Sequence, residues 1–184
     1  MVVFKKEKDF LTAKAWHDHG HENNPNVPRW EDTRKNSGFN FRMNELQACV
    51  GLAQLKKLNK ILLYHKKNYN LIFNKIKNLG LNFREIPRNN VQTFESLIFF
   101  AKDKKQAKKF RNSLLENGIS TKILPEASTW HFCKFWSHIK ELNKRHKKLN
   151  NNFKESDIFL SRAVSIPINI KMNKETPENI FKSL

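Results

Sequence analysis

At 184 residues the chain is long enough to bury the core of one domain, or of one domain with an appendage. Its hydrophobic fraction is 39%, much of it carried by fifteen Phe, and no apolar run approaches the ~18 residues of a membrane-spanning helix. The net charge of +18 raises the alternative of a non-enzymatic basic α/β module that binds nucleic acid. The lysines, however, are scattered among many Asn and Ile, a joint enrichment that AT-rich codons produce, so much of the charge reads as drift on solvated faces.

Met1–Phe4 reads as a short strand. The N-terminus shows no secretory h-region or cleavage site, which makes a cytoplasmic location the default expectation. Lys8–Trp16 carries Phe10, Leu11, Ala15 and Trp16 at helical spacing. His17, His19 and His21 follow at i, i+2 and i+4, and on a strand they would line one face, as transition-metal ligands do. No second ligand pair stands nearby at a standard spacing, and polar loop residues at a site rim explain the cluster as well, so no metal is assigned. Asn23–Ser37, with Pro25 and Pro28, is a loop, long enough to be functional.

Ser37–Gln47 carries the most information. In an extended segment alternate side chains share a face, so Asn40 and Arg42 point one way and Phe39 and Phe41 the other. An amide and a guanidinium beside a helix start suit a phosphate or carboxylate. On spacing alone, a capped loop in which Arg42 holds a structural carboxylate is the favoured reading. Asn44 is a good N-cap. From Leu46 to Leu79 apolar residues recur at 3–4 spacing, which predicts one helix over 44–80, about 50 Å long at ~1.5 Å per residue, with Gly80 as its stop. Cys49 falls on its apolar side and reads as a small buried filler. Thr93–Ala101 then reads as a buried strand, Lys104–Asn117 as a helix ended by Gly118, and Ile119–Leu124 as a second strand. Glu126–Phe135 is a loop holding Trp130, His131 and Phe132. Phe153–Arg162 reads as helix, Ala163–Ile168 as a third strand, and Thr176-Pro177 as the start of a last helix.

The run Gly38-Phe39-Asn40-Phe41-Arg42-Met43-Asn44-Glu45-Leu46-Gln47-Ala48, continued by Gly51, Gln54 and Leu55, resembles the DegT/DnrJ/StrS-type sugar aminotransferases. Asp18-His19-Gly20 is similar to the D-H-G of the same family. His19–Pro25, Asp32-Thr33-Arg34, Leu124-Pro125 and Trp130-His131-Phe132 most resemble the members that aminate C8 of an octulosonate. The resemblance implies an α/β fold, the C-terminal portion of a fold-type I, aspartate-aminotransferase-like enzyme. Residues 1–43 would be a remnant of the large domain with an active-site loop, 44–80 an interdomain helix, and 81–184 a small α/β domain. It implies pyridoxal 5'-phosphate as cofactor, glutamate as amino donor, a keto sugar as acceptor and a homodimer. Asn40 matches the asparagine that reaches the cofactor phosphate of the other subunit. His19, Arg42, Trp130 and His131 become candidates for the substrate pocket. The family's Schiff-base lysine lies upstream of the position of Met1, so no catalytic lysine is assigned, and a missing N-terminal half is expected to be required for activity.

Overall fold

The computed structural model describes residues 2–121, 132–146, 149 and 152–184. Residues 2–4 take no strand pairing, in contrast to the strand expected there, because no neighbouring strand offers them partners. The first helix, α1 (Glu7–His17), has Glu7 and Asp9 in its first turn and Lys14 and His17 in its last, matching charge to the helix dipole at both ends. A loop with one 3-10 turn at Arg29–Glu31 follows. Helix α2 (Glu45–Leu55) starts on a complete capping box. Asn44 Oδ1 accepts the Gln47 N–H at 2.9 Å, and Gln47 Oε1 accepts the Asn44 N–H at 3.0 Å.

The single helix predicted over 44–80 is two helices, α2 and α3 (Leu58–Ile76). At the junction Lys57 N–H bonds to Gln54 O at 2.9 Å, an i−3 bond that tightens the last turn of α2. Like charge weakens the helix at this point. No acidic residue occurs between Glu45 and Glu85, so Lys56 and Lys60 form a like-charged i,i+4 pair with no carboxylate to relieve it. The apolar spacing runs through the junction unaltered, which is why periodicity alone does not reveal it. The chain also divides there, into compact units Met1–Lys57 and Leu58–Leu184. Helix α2 buries none of its residues, and Cys49 is exposed rather than the buried filler expected.

The second unit is built on an antiparallel sheet of order β1-β2-β3, with β1 at Asn82–Phe83, β2 at Ser96–Phe100 and β3 at Ala163–Pro167. Leu97 lies opposite Ile166 and Phe99 opposite Val164, so one face of β2 and β3 is a continuous apolar surface. Onto it pack Ile72 and Ile76 of α3, Ala107 and Leu114 of α4 (Lys104–Glu116), and Ile180, all fully or almost fully buried. Ile180 belongs to the last helix, α7 (Thr176–Ser183), which has Pro177 in its first turn as the sequence predicts. Phe83, Phe99 and Phe110 meet edge-on in sequence, with ring centroids 6.3 and 5.9 Å apart. On the opposite face Phe100 meets Phe159 of α6 (Lys154–Arg162). Asn68, buried on α3, donates to the carbonyls of Asn169 and Ile170 and ties the helix to the chain after β3. Asp103 caps α4 through the Gln106 N–H, and Gly118 (φ 73°) ends it in left-handed backbone.

Ile119–Thr121, expected to open a strand, have no strand pairing; the rest of that segment lies outside the described residues. Cys133–Phe135 form a 3-10 turn and Lys140–Arg145 a short helix, α5. No helix among the described residues is long and apolar enough to cross a membrane.

Candidate functional site

The local fold of the first unit is a hairpin-like crossing of Trp16–His21 and Ser37–Phe41. Phe39 N–H donates to Trp16 O at 2.9 Å, His19 N–H to Phe39 O at 3.1 Å, and Phe41 N–H to His17 O at 3.0 Å. Asp18 and Asn40 are bridge partners. Two glycines permit the crossing. A side chain on Gly38 would drive its Cβ into the backbone of Gly20 and to 2.8 Å from Trp16 O; one on Gly20 (φ 83°) would collide with the Asn36 carbonyl. The glycine that begins the motif is therefore a close-approach position.

This crossing sets Arg42 against Asp18. Asp18 is 4% exposed, and its Oδ1 accepts from Arg29 Nη2 at 2.6 Å and pairs with Arg42 Nη1 at 3.2 Å. The hydrogen bond from Arg29 is the main reason its carboxyl is held below the ordinary aspartate range; burial opposes this, and the charges of Arg29, Arg42 and His21 reinforce it. Arg42 also donates through Nε to Asn40 Oδ1 at 3.1 Å, and its backbone N–H donates to the same oxygen at 3.3 Å. With Oδ1 occupied twice, the network fixes the amide orientation and leaves Asn40 Nδ2 to donate outward.

A second carboxylate organises the loop. Asp32 Oδ2 meets His21 Nδ1 at 3.2 Å and accepts the Asn23 N–H at 2.8 Å, while Oδ1 accepts the Asn24 N–H at 3.2 Å. Burial pushes its carboxyl up, but the two backbone N–H groups and His21 outweigh that and hold it low. Asn23 (φ 56°) is left-handed and presents Oδ1 to Arg29 Nη1 at 3.3 Å. Glu22 takes the Thr33 hydroxyl and Lys35 Nζ, which lower its pKa.

The spacing argument is thus met at Asn40 and Arg42, which share a partner network, while Phe39 and Phe41 contact each other at 5.8 Å on the other side and stay exposed. Arg42 holds a structural carboxylate, Asp18, as one of its two readings expects. His19 (φ 54°) is exposed. His17, His19 and His21 do not line one strand face: His17 closes α1, and the buried His21 faces Asp32. Among the described residues no group of His, Cys, Asp or Glu gathers as a metal set. Trp130 and His131 lie outside the described residues. Asp18, Arg29 and Asp32 are the site residues that spacing does not single out; the D-H-G and Asp32-Thr33-Arg34 motifs are the signal for Asp18 and Asp32.

The profile of the DegT/DnrJ/EryC1/StrS aminotransferase family matches residues 1–184. The chain belongs to this family. That membership replaces the reading as a basic nucleic-acid-binding module. The fold agrees. PseC from Helicobacter pylori, an aminotransferase involved in the biosynthesis of pseudoaminic acid, is similar over 98% of this chain and 46% of its own, with 19% identity and a TM-score of 0.71. The aminotransferase TlmJ from Streptoalloteichus hindustanus is similar over 98% of this chain and 45% of its own, with 12% identity and a TM-score of 0.72. The PLP form of the sugar aminotransferase Spr1654 from Streptococcus pneumoniae is similar over 98% and 43%, with 14% identity and a TM-score of 0.68. The chain spans less than half the length of these structures, and its mixed α/β fold is that of their C-terminal portion.

Proposed function

We propose that this chain is the C-terminal part of a pyridoxal-phosphate-dependent sugar aminotransferase and works with the half of the fold that it does not span. The observation that carries the reading is the family match over 1–184 together with the pinned segment Gly38–Arg42, in which Arg42 holds Asn40 Oδ1 and leaves Nδ2 to donate. An outward amide N–H suits a phosphate oxygen without adding charge, so Asn40 fits a place against the cofactor phosphate, in a homodimer that of the opposite subunit. The cofactor supplies the electron sink of amino transfer when bound. This chain's residues position: Asp18 and Arg42 hold Asn40, and Arg42 and His19 are set at the rim for the substrate.

The donor is L-glutamate and the acceptor a keto sugar, by the subfamily motifs an 8-oxo-3-deoxy-octulosonate used in lipopolysaccharide synthesis in the cytoplasm. We assign no residue of this chain the role of the cofactor-anchoring lysine. The purified chain, incubated with pyridoxal phosphate and treated with borohydride, is expected to gain no pyridoxyl-lysine adduct by mass spectrometry. It is expected to show amino transfer only when a lysine-bearing N-terminal half is co-expressed. A specific adduct on a lysine of this chain would overturn the proposal.

A further inference from the structure

Arg29 and Arg42 converge on one oxygen. Arg29 Nη2 donates to Asp18 Oδ1 at 2.6 Å and Arg42 Nη1 forms an ion pair with it at 3.2 Å, and both side chains remain nearly half exposed, at 47% and 44%, while Asp18 is buried. The two guanidiniums are anchored independently at their other ends, Arg29 Nη1 on Asn23 Oδ1 and Arg42 Nε on Asn40 Oδ1. They are therefore held close together in spite of their like charge, at the cost of a left-handed backbone at Asn23.

One carboxylate cannot neutralise two guanidiniums. Among the other carboxylates of the loop, Asp32 is committed to His21 and two backbone N–H groups and Glu22 to Thr33 and Lys35, and Glu31, in the turn with Arg29, makes no ion pair with either arginine. One positive charge is left uncompensated over a preorganised pair of forks with N–H donors free. We propose that Arg29 and Arg42 form a carboxylate-binding subsite and that Arg29, which no family motif quoted above includes, selects an acidic substrate. The charge surplus matches a monoanion, and the planar fork matches a carboxylate. Asp18 is a positioning residue that sets the two forks side by side. The inference rests on the aminotransferase reading for the word substrate, but not for the binding itself.

The test uses the full chain without cofactor. The Nε–H resonances of Arg29 and Arg42 are followed by NMR during titration with L-glutamate in one arm and D-glucuronate in another, with D-glucose and inorganic phosphate as comparisons. Saturable shifts at Arg29 with either acid, and none with glucose, are expected; the arm that responds tells an amino-donor carboxylate from a sugar-acid carboxylate. Arg29→Gln is expected to weaken that binding about 10-fold or more, the loss of one charge-assisted hydrogen-bond pair. Arg29→Lys keeps the charge but lacks the fork, and is expected to lose nearly as much. Circular dichroism and the Asn23 amide resonance show that the variants keep the loop. No shift at Arg29, unchanged affinity in a folded Arg29→Gln chain, or tighter binding of phosphate than of either acid overturns the proposal. Carboxylate binding in a chain that never supports amino transfer with an N-terminal half would leave the subsite standing and remove the aminotransferase reading.

Discussion

At the scale of single residues, the first unit rests on two buried carboxylates more than on apolar contact. Asp18 and Asp32 both titrate below the ordinary aspartate value, Asp18 chiefly through Arg29, and Asp32 through backbone N–H groups and His21 against the pull of burial. A carboxyl whose folded pKa is depressed adds stability above its unfolded pKa and loses it as pH falls through the folded value. The loop is therefore expected to be indifferent to pH from neutrality down to the ordinary aspartate range and to loosen below it. The protection factor of the Asn23 amide, whose N–H donates to Asp32, checks this; protection lost well above that range would contradict the assignment of these pairs as the loop's main ties. Gly38 makes a complementary point. Its place in the motif follows from the backbone of Trp16–Gly20 passing where a Cβ would stand.

At the scale of elements, the helices differ in what holds them. Helix α2 has a full capping box and no buried side chain, so its ends rather than its face define it here. Helices α3, α4 and α7 are fixed by packing on the β2–β3 face. Phe99 is the centre of that packing, fully buried between Phe83 and Phe110. Phe99→Ala is expected to cost about 3–5 kcal/mol, as large aromatic truncations in cores do. Phe39→Ala, at a ring 61% exposed, should stay within about 0.5 kcal/mol. Urea unfolding followed by circular dichroism distinguishes the two; similar costs would mean that Phe39 is packed in solution.

At the scale of the whole molecule, the division of apolar burial is uneven. The core cluster, from Ile72 to Ile180, belongs entirely to the second unit, whereas among the described residues of the first unit Ala15 is the buried hydrophobic. Local opening free energy follows such burial. Hydrogen exchange is expected to find the Phe99 and Val164 amides exchanging only through global unfolding, and the amides of α2 exchanging orders of magnitude faster. Equal protection of α2 and β2 in the isolated chain would refute this ordering.

The sequence by itself determined most elements of the second unit, because 3–4 spacing, Gly118 as a stop, and Thr176-Pro177 are local signals that the packing respects. It also determined the family, because Gly38–Leu55 holds many chemically dissimilar residues in fixed order. The break between α2 and α3 was not legible in periodicity, since apolar spacing survives it; it shows in the tightened last turn of α2, beside lysines with no carboxylate to relieve them. The partners of Asn40 and Arg42 were not legible either. Spacing says which side chains share a face but not what lies opposite. Only the tertiary crossing of Trp16–His21 with Ser37–Phe41, allowed by two glycines, puts Asp18 beneath both Arg29 and Arg42 and turns the Asn40 amide outward.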